Sequence, residues 1–146
     1  MGRRVELLLR EYGGGADGEV RVMTNETALL CDVIRAVPNG SRWYITPDSW
    51  ERIPAVLGSL IAVVTKPETN YEHWVVVLSA ETKEAVLRKI VGHELAEKIV
   101  HMDIESPEGT VLFRSWDRMC SINVTDMPDG GVALMDKYPN LHEGYV

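Results

Sequence analysis

The chain has 146 residues, of which 45% are hydrophobic, 25% charged and 7% aromatic. This composition excludes wholesale disorder, and the length fits the range of roughly 100–200 residues for one domain. With 15 basic and 22 acidic residues the net charge is −7, which opposes a strong general affinity for nucleic acid phosphate. No run of about 18 apolar residues and no signal-peptide pattern occur, so we expect a cytoplasmic protein without a membrane span.

The first half of the chain shows mostly strand patterns. The chain begins with a predicted strand over 4–12, a glycine-rich turn over 13–18 and a second strand over 19–23. A helix follows, which is capped by Thr24 or Asn25 and ended by Pro38-Asn39-Gly40. After it we predict a strand over 43–45 and a helix from Thr46. Pro54 is expected to break that last helix after about two turns. Two continuous apolar runs, 60–64 and 74–78, predict central strands that are buried on both faces.

The second half predicts one more helix and a hairpin. Its elements are a helix capped by Ser79 and stopped at Gly92, a strand within 98–105, a turn over 106–109, a return strand over 110–116, a strand over 121–124, a loop over 126–131 and a surface tail. No repeat or linker divides the chain. We therefore predict an α+β class, a single domain over 1–146 with a mainly antiparallel sheet and two or three packed helices.

Residues Gly13–Gly18 fit the glycine-rich phosphate-loop pattern. The dinucleotide version of that loop requires a helix directly after it, whereas a strand is predicted here. The kinase version requires catalytic segments that this sequence lacks. A hairpin loop is the favoured interpretation, and ligand binding there stays an alternative.

Three potential metal ligands, His93, Glu97 and His101, follow one another at four-residue steps. On one continuous helix they would share a face and could bind zinc. Gly92 and the strand-like alternation after Lys98 indicate instead that the helix stops earlier. We expect no metal and no cofactor. Cys31 and Cys120 are too few for a zinc site or a disulfide framework of their own.

Catalytic patterns are missing, and acidic residues are unevenly distributed. No serine lies in a nucleophile-elbow motif and no cysteine lies beside an obvious base, so we expect a non-enzymatic protein. Residues 94–146 contain 10 acidic and 4 basic residues, a balance of −6 out of the total of −7. Such a concentration either keeps the protein soluble or steers a basic partner into contact.

The hypothesis of an acidic binding face names particular residues. Alternation places Asp103 and Glu105 on the outward face of their strand, where we expect solvated charge, and Glu108 in the turn. Trp116 is a candidate aromatic anchor beside them. The predicted partner-binding residues are Asp103, Glu105, Glu108, Trp116, Asp117, Asp126 and Asp129.

Two segments carry a resemblance to a known class of proteins. Residues 49–74 combine a short tryptophan-bearing helix, an apolar strand, a polar turn and an aromatic-led strand, and residues 100–113 form the later hairpin. This arrangement resembles bacterial toxin-immunity proteins of contact-dependent or polymorphic toxin systems. The resemblance implies a small acidic inhibitor that neutralises a basic toxin or enzyme partner by protein–protein interaction. The alternatives are a small-molecule- or metal-binding domain, which could be enzymatic, and a plain structural subunit.

Overall fold

The computed structural model describes residues 4–7, 10–13, 20–23, 26–66, 68, 70–116, 118–119, 121–125, 127, 134, 137–138 and 141–143. Its strands are β1 (Arg4–Leu7), β2 (Arg10–Gly13), β3 (Val20–Met23), β4 (Ser41–Ile45), β5 (Ile61–Lys66), β6 (Tyr71–Leu78), β7 (Met102–Glu105), β8 (Val111–Trp116), β9 (Ser121–Thr125) and β10 (Leu141–Glu143). Its helices are α1 (Glu26–Ala36), α2 (Ile53–Leu57) and α3 (Lys83–His93).

Eight strands form one sheet in the order β10-β1-β9-β8-β7-β4-β6-β5, and every pairing in it is antiparallel. Strands β2 and β3 form a separate antiparallel pair. The sheet and its helices confirm the predicted α+β class.

The helices bury their apolar side chains against one face of the sheet. Leu29, Leu30 and Ile34 of α1 and Ile90 of α3 are fully buried. They belong to one core with alternate residues of the central strands, namely Trp43, Ile45, Val76, Ile104 and Phe113. Alternate strand residues project to opposite sides, so the remaining residues of these strands lie on the face that the described helices do not cover.

The prediction that both apolar runs form doubly buried central strands is wrong for the run 60–64 and holds only in part for the run 74–78. Strand β5 lies at the edge of the sheet, and its residues 62–65 are all exposed. Strand β6 lies inside the sheet between β4 and β5, and on the face that the described helices do not cover Val75 is buried whereas Val77 is 49% exposed. A continuous apolar run therefore reflects the strand preference of its valines here, because burial on both faces requires a layer on each face and the described helices cover only one.

Two other elements near the start of the chain differ from prediction. The strand expected over 4–12 is divided into β1 and β2, which belong to different sheets. The helix expected from Thr46 is a turn, and Pro54 lies in the first turn of α2 instead of ending a helix. Proline is tolerated at that position because the N–H groups of a first helical turn have no partner within the helix.

The end of α3 and the end of the chain also correct the sequence prediction. Helix α3 continues through Gly92 to His93 and ends where Glu94 adopts a left-handed conformation with φ of 52°. The 3-10 turn Leu95–Glu97 follows, and the next strand, β7, starts only at Met102. The expected surface tail contains β10, which pairs with β1.

Candidate functional site

The face of the sheet opposite the helices is the candidate site, and we call it the outer face. Paired residues of antiparallel strands lie on the same side, so the register identifies its members. Among the described side chains they include Arg42, Tyr44, Val64, Lys66, His73, Val75, Val77, Asp103, Glu105, Arg114 and Trp116. The described residues that line the grooves on this face come from strands and their connecting turns.

Four charged side chains from three strands form an ion-pair cluster at the centre of the outer face. Lys66 Nζ donates hydrogen bonds to Asp103 Oδ2 at 3.0 Å and to Glu105 Oε2 at 2.8 Å. Arg114 binds Asp103 with two hydrogen bonds, from Nε to Oδ1 at 2.7 Å and from Nη2 to Oδ2 at 3.1 Å. The Lys66 side chain is only 7% exposed and is largely removed from water, whereas the Arg114 side chain is 42% exposed.

Aromatic rings border the ion-pair cluster. Lys66 Nζ lies 4.4 Å from the centroid of the Tyr44 ring, a distance at which the ring attracts the ammonium group. The same ring meets His73 edge-on at 6.3 Å between centroids. His73 is itself buried, and its Nδ1 lies 3.2 Å from the carbonyl oxygen of Tyr71. These contacts fix the orientation of Tyr44 between a cation and an imidazole.

The ion pairs shift the pKa values of Asp103 and Lys66 in the directions that favour their charged forms. Burial alone would raise the pKa of Asp103, but hydrogen bonds from Arg114 and Lys66 outweigh it and lower that pKa below its ordinary value. Burial alone would lower the pKa of Lys66, but Glu105 and Asp103 raise it above its ordinary value. A general base or an amine nucleophile needs a pKa shifted the other way, towards neutrality. This ion-pair cluster is therefore suited to holding charge in place and not to transferring protons.

Grooves lie on both sides of Tyr44. One has a volume of about 530 Å³ and is lined by Tyr44, Tyr71, His73, Asp103, Arg114 and Trp116 among others. The second, of about 360 Å³, is lined by Arg42, Val64, Lys66, Val75, Val77 and Glu105 among others. The outer face therefore offers apolar, aromatic and charged groups to a binding partner over several strands.

The structure brings three of the predicted partner-binding residues together, and it shows that two of them are paired instead of solvated. Asp103 and Trp116 line the same groove, and Glu105 joins Asp103 at Lys66. Asp103 and Glu105 point outward as predicted, but the expectation that they are solvated is wrong, because Glu105 is only 8% exposed and both carboxylates are paired. Glu108 lies exposed in the β7–β8 turn. Asp117, Asp126 and Asp129 lie outside the described residues.

The remaining candidate motifs do not converge on this face. His93 ends α3, Glu97 lies in the following 3-10 turn and His101 precedes β7, so the three do not share one helix. Among the described residues, no group of three His, Cys, Asp or Glu side chains is placed to hold a metal ion. A strand follows the glycine-rich segment, as predicted, although Gly14 to Gly18 lie outside the described residues.

Sequence reasoning missed Lys66, Arg114 and Tyr44. Lys66 is the single charged residue in an apolar strand, and period-two alternation places it on the same side as Val64. That signal indicates an inward or paired lysine, but it does not name the partner. The pairing of Lys66 with Asp103 joins positions 37 residues apart, and it depends on β4 and β6 lying between their strands.

No protein-family model, curated protein or solved structure matches this chain. The resemblance to toxin-immunity proteins therefore stays a prediction. Among the described helices, none combines the length and the apolar character needed to cross a bilayer.

Proposed function

We propose that this chain is a non-enzymatic cytoplasmic inhibitor of the immunity type, which binds a toxin or enzyme partner through the outer face. The observation that carries the proposal is the ion-pair cluster, whose four charged side chains are held together by ion pairs on the sheet face that the described helices do not cover. Rigid groups of this kind lose little freedom when a partner binds.

The outer face has the composition of a protein-binding surface. Aromatic residues and arginine are enriched at the centres of protein interfaces, and here Tyr44, Trp116 and Arg114 border adjoining grooves. Val77 adds an apolar side chain that is 49% exposed. An interface of standard size covers about 800 Å² on each partner, which a face spanning five strands can supply.

In our proposal, the acidic residues outside the ion-pair cluster attract a basic partner towards this surface. Asp103 and Glu105 are matched by Lys66 and Arg114, so they contribute little net field. Glu108 is exposed, and outside the ion-pair cluster residues 94–146 contain 8 acidic and 3 basic residues, a balance of −5. Such charges steer a basic partner and mainly affect the association rate.

The test is a genetic one combined with a binding measurement. A toxin encoded beside this chain is expressed with it and without it, and we expect the chain to restore growth and to form a purified one-to-one complex. Glu108→Lys should slow association at low salt while leaving dissociation unchanged, because it lies at the exposed turn. The absence of both growth rescue and complex formation with any such toxin contradicts the proposal.

A second candidate function is binding of a small molecule in the groove bordered by Tyr44, His73 and Trp116. Its volume of about 530 Å³ lies within the range of roughly 300–1,000 Å³ typical of ligand pockets. A thermal-shift screen of metabolites distinguishes the two functions, since a ligand at 100 times its Kd adds about 2.7 kcal/mol of stability. A hit that Trp116→Ala abolishes, without any toxin partner, favours this alternative.

A further inference from the structure

The open edge of β5 forms a second surface, separate from the outer face. Strand β5 ends the eight-stranded sheet and pairs with β6 on one side. Within the described part of the chain, no strand lies on its other side. At such an edge, alternate residues direct their backbone N–H and C=O groups away from the sheet, where another strand can bind them.

This edge lacks the features that usually prevent strand addition. Natural edges are protected by outward lysines, bulges or very short strands. Strand β5 has six residues, and its pairing with β6 runs from Ile61 to Lys66 without a bulge. Its one charged residue, Lys66, is only 6% exposed because it points into the ion-pair cluster. Val63, by contrast, is 59% exposed.

Two acidic residues lie at one end of this edge. Glu72 on β6 is paired with Thr65, on the side opposite the outer face, whereas Glu68 follows the end of β5 and lines the grooves of the outer face; both side chains are exposed. Glu72 makes no ion pair with any residue that the structure describes. Threonine is small, so a long basic side chain on an added strand can cross it towards Glu72. The middle of the edge is apolar and its Lys66 end is acidic.

We propose that the β5 edge binds an extended segment of the protein partner as a ninth, antiparallel strand. The segment carries β-branched apolar residues at its centre and a lysine or arginine at its N-terminal end. Antiparallel addition places that N-terminal end beside Thr65, on the side of the sheet where Glu72 lies. This inference rests on the proposed function only in assigning the segment to the same partner, since the edge itself is a property of β5.

The first test uses a synthetic peptide, acetyl-Lys-Thr-Val-Thr-Val-Thr-amide, titrated into the isotopically labelled full chain and followed by nuclear magnetic resonance. We expect saturable binding with the largest amide shifts in β5. Two further peptides carry N-methyl groups on alternate amides. Methylation of the set that faces β5 should abolish binding, and methylation of the other set should leave it unchanged, because only one set of N–H groups bonds to an added strand.

Variants of the chain test the position and the charge rule. Val63→Lys should weaken peptide binding about tenfold or more, because it places a charge on the edge. Val91→Lys is the matched control, since Val91 on α3 is also 59% exposed and should bind as the parent does. Glu72→Lys should weaken binding of the lysine-first peptide and strengthen binding of its glutamate-first counterpart.

Three results would overturn the inference. The first is the absence of saturable binding up to about 1 mM peptide. The second is equal binding of both methylated peptides. The third is a parent chain that forms a dimer by itself, together with a Val63→Lys variant that is monomeric. The last result assigns the edge to a second copy of this chain. None of these assays contains a toxin, so they can fail while growth rescue through the outer face still succeeds.

Discussion

Lys66 determines whether two buried carboxylates are tolerated on the outer face. The side chains of Lys66, Glu105 and Asp103 are 7%, 10% and 17% exposed, and the ammonium group contacts both acids within 3.0 Å. A buried ion pair does not guarantee net stability, but removal of one partner leaves a buried charge without compensation. The contribution of Lys66 is therefore measured by the stability that is lost when this lysine is replaced.

We predict that Lys66→Met lowers the free energy of unfolding by about 3–5 kcal/mol, as measured by urea denaturation. Lys137→Met is the control, because Lys137 pairs with Asp32 through a side chain that is 59% exposed. That change should cost no more than about 1 kcal/mol. Adding Glu105→Gln to Lys66→Met should recover part of the loss. Equal effects of the two lysine substitutions would contradict this role for Lys66.

The decrease in the free energy of unfolding at acidic pH depends on the carboxylate of Asp103. Folding lowers the pKa of Asp103, so its carboxylate stabilises the fold at pH values above its unfolded pKa of about 3.9. This contribution is lost as the pH falls through the lower pKa of the folded state. We predict that Asp103→Asn flattens the loss of unfolding free energy below about pH 4, whatever its effect at pH 7. If the free energy of unfolding fell equally steeply in parent and variant below about pH 4, Asp103 would not titrate in this way.

At the scale of elements, the sequence predicted β3, α1, β4, the β7–β8 hairpin and β9 to within a few residues. These elements have local signals, such as the Ser106-Pro107-Glu108-Gly109 turn and the helical spacing of Leu30 and Ile34. The sequence misplaced β5 because the five-residue apolar run 60–64 looks the same at the edge of a sheet and at its centre. Strand order is a long-range property, and β5 lies at the edge because β4, distant in sequence, pairs with the other side of β6 and no described strand pairs with the free side of β5.

Two glycines with different backbone conformations give a prediction for α1 and α3. Gly92 lies inside α3, and a Cβ there would meet nothing within 4 Å, so Gly92→Ala should stabilise the protein by about 0.5–1 kcal/mol. Gly40 follows α1 with φ of +93°, and a Cβ there would lie 3.3 Å from Cγ of Pro107. Gly40→Ala should therefore destabilise by about 1–2 kcal/mol.

Thermal or urea unfolding of both glycine variants checks this contrast. Opposite shifts of the midpoint are expected at unchanged m value. A stabilising Gly40→Ala would show that the contact between the α1 turn and the Pro107 turn is looser than the structure has it.

At the scale of the whole molecule, one sheet separates two environments. The helices cover one face and supply the apolar core, whereas the outer face is built from ion pairs, aromatic rings and exposed valines. The candidate site could be predicted only in part. Alternation correctly placed Asp103 and Glu105 on the outward face of their strand. Their neutralisation by Lys66 and Arg114 depends on strands that are distant in sequence, so the sequence led to the expectation of a simple acidic face where the structure has ion pairs.

Substitution of one exposed valine on each side of the sheet tests the central claim most directly. Val77 is 49% exposed on the outer face, and Val91 is 59% exposed on α3, so aspartate should be tolerated at both positions. The measurement is the Kd of each folded variant for the toxin that the parent neutralises. Our account predicts that Val77→Asp weakens binding about 100-fold or more, equivalent to about 2.7 kcal/mol, while Val91→Asp binds as the parent does. Unchanged binding by Val77→Asp together with weakened binding by Val91→Asp would place the interface on the helical side and contradict the account.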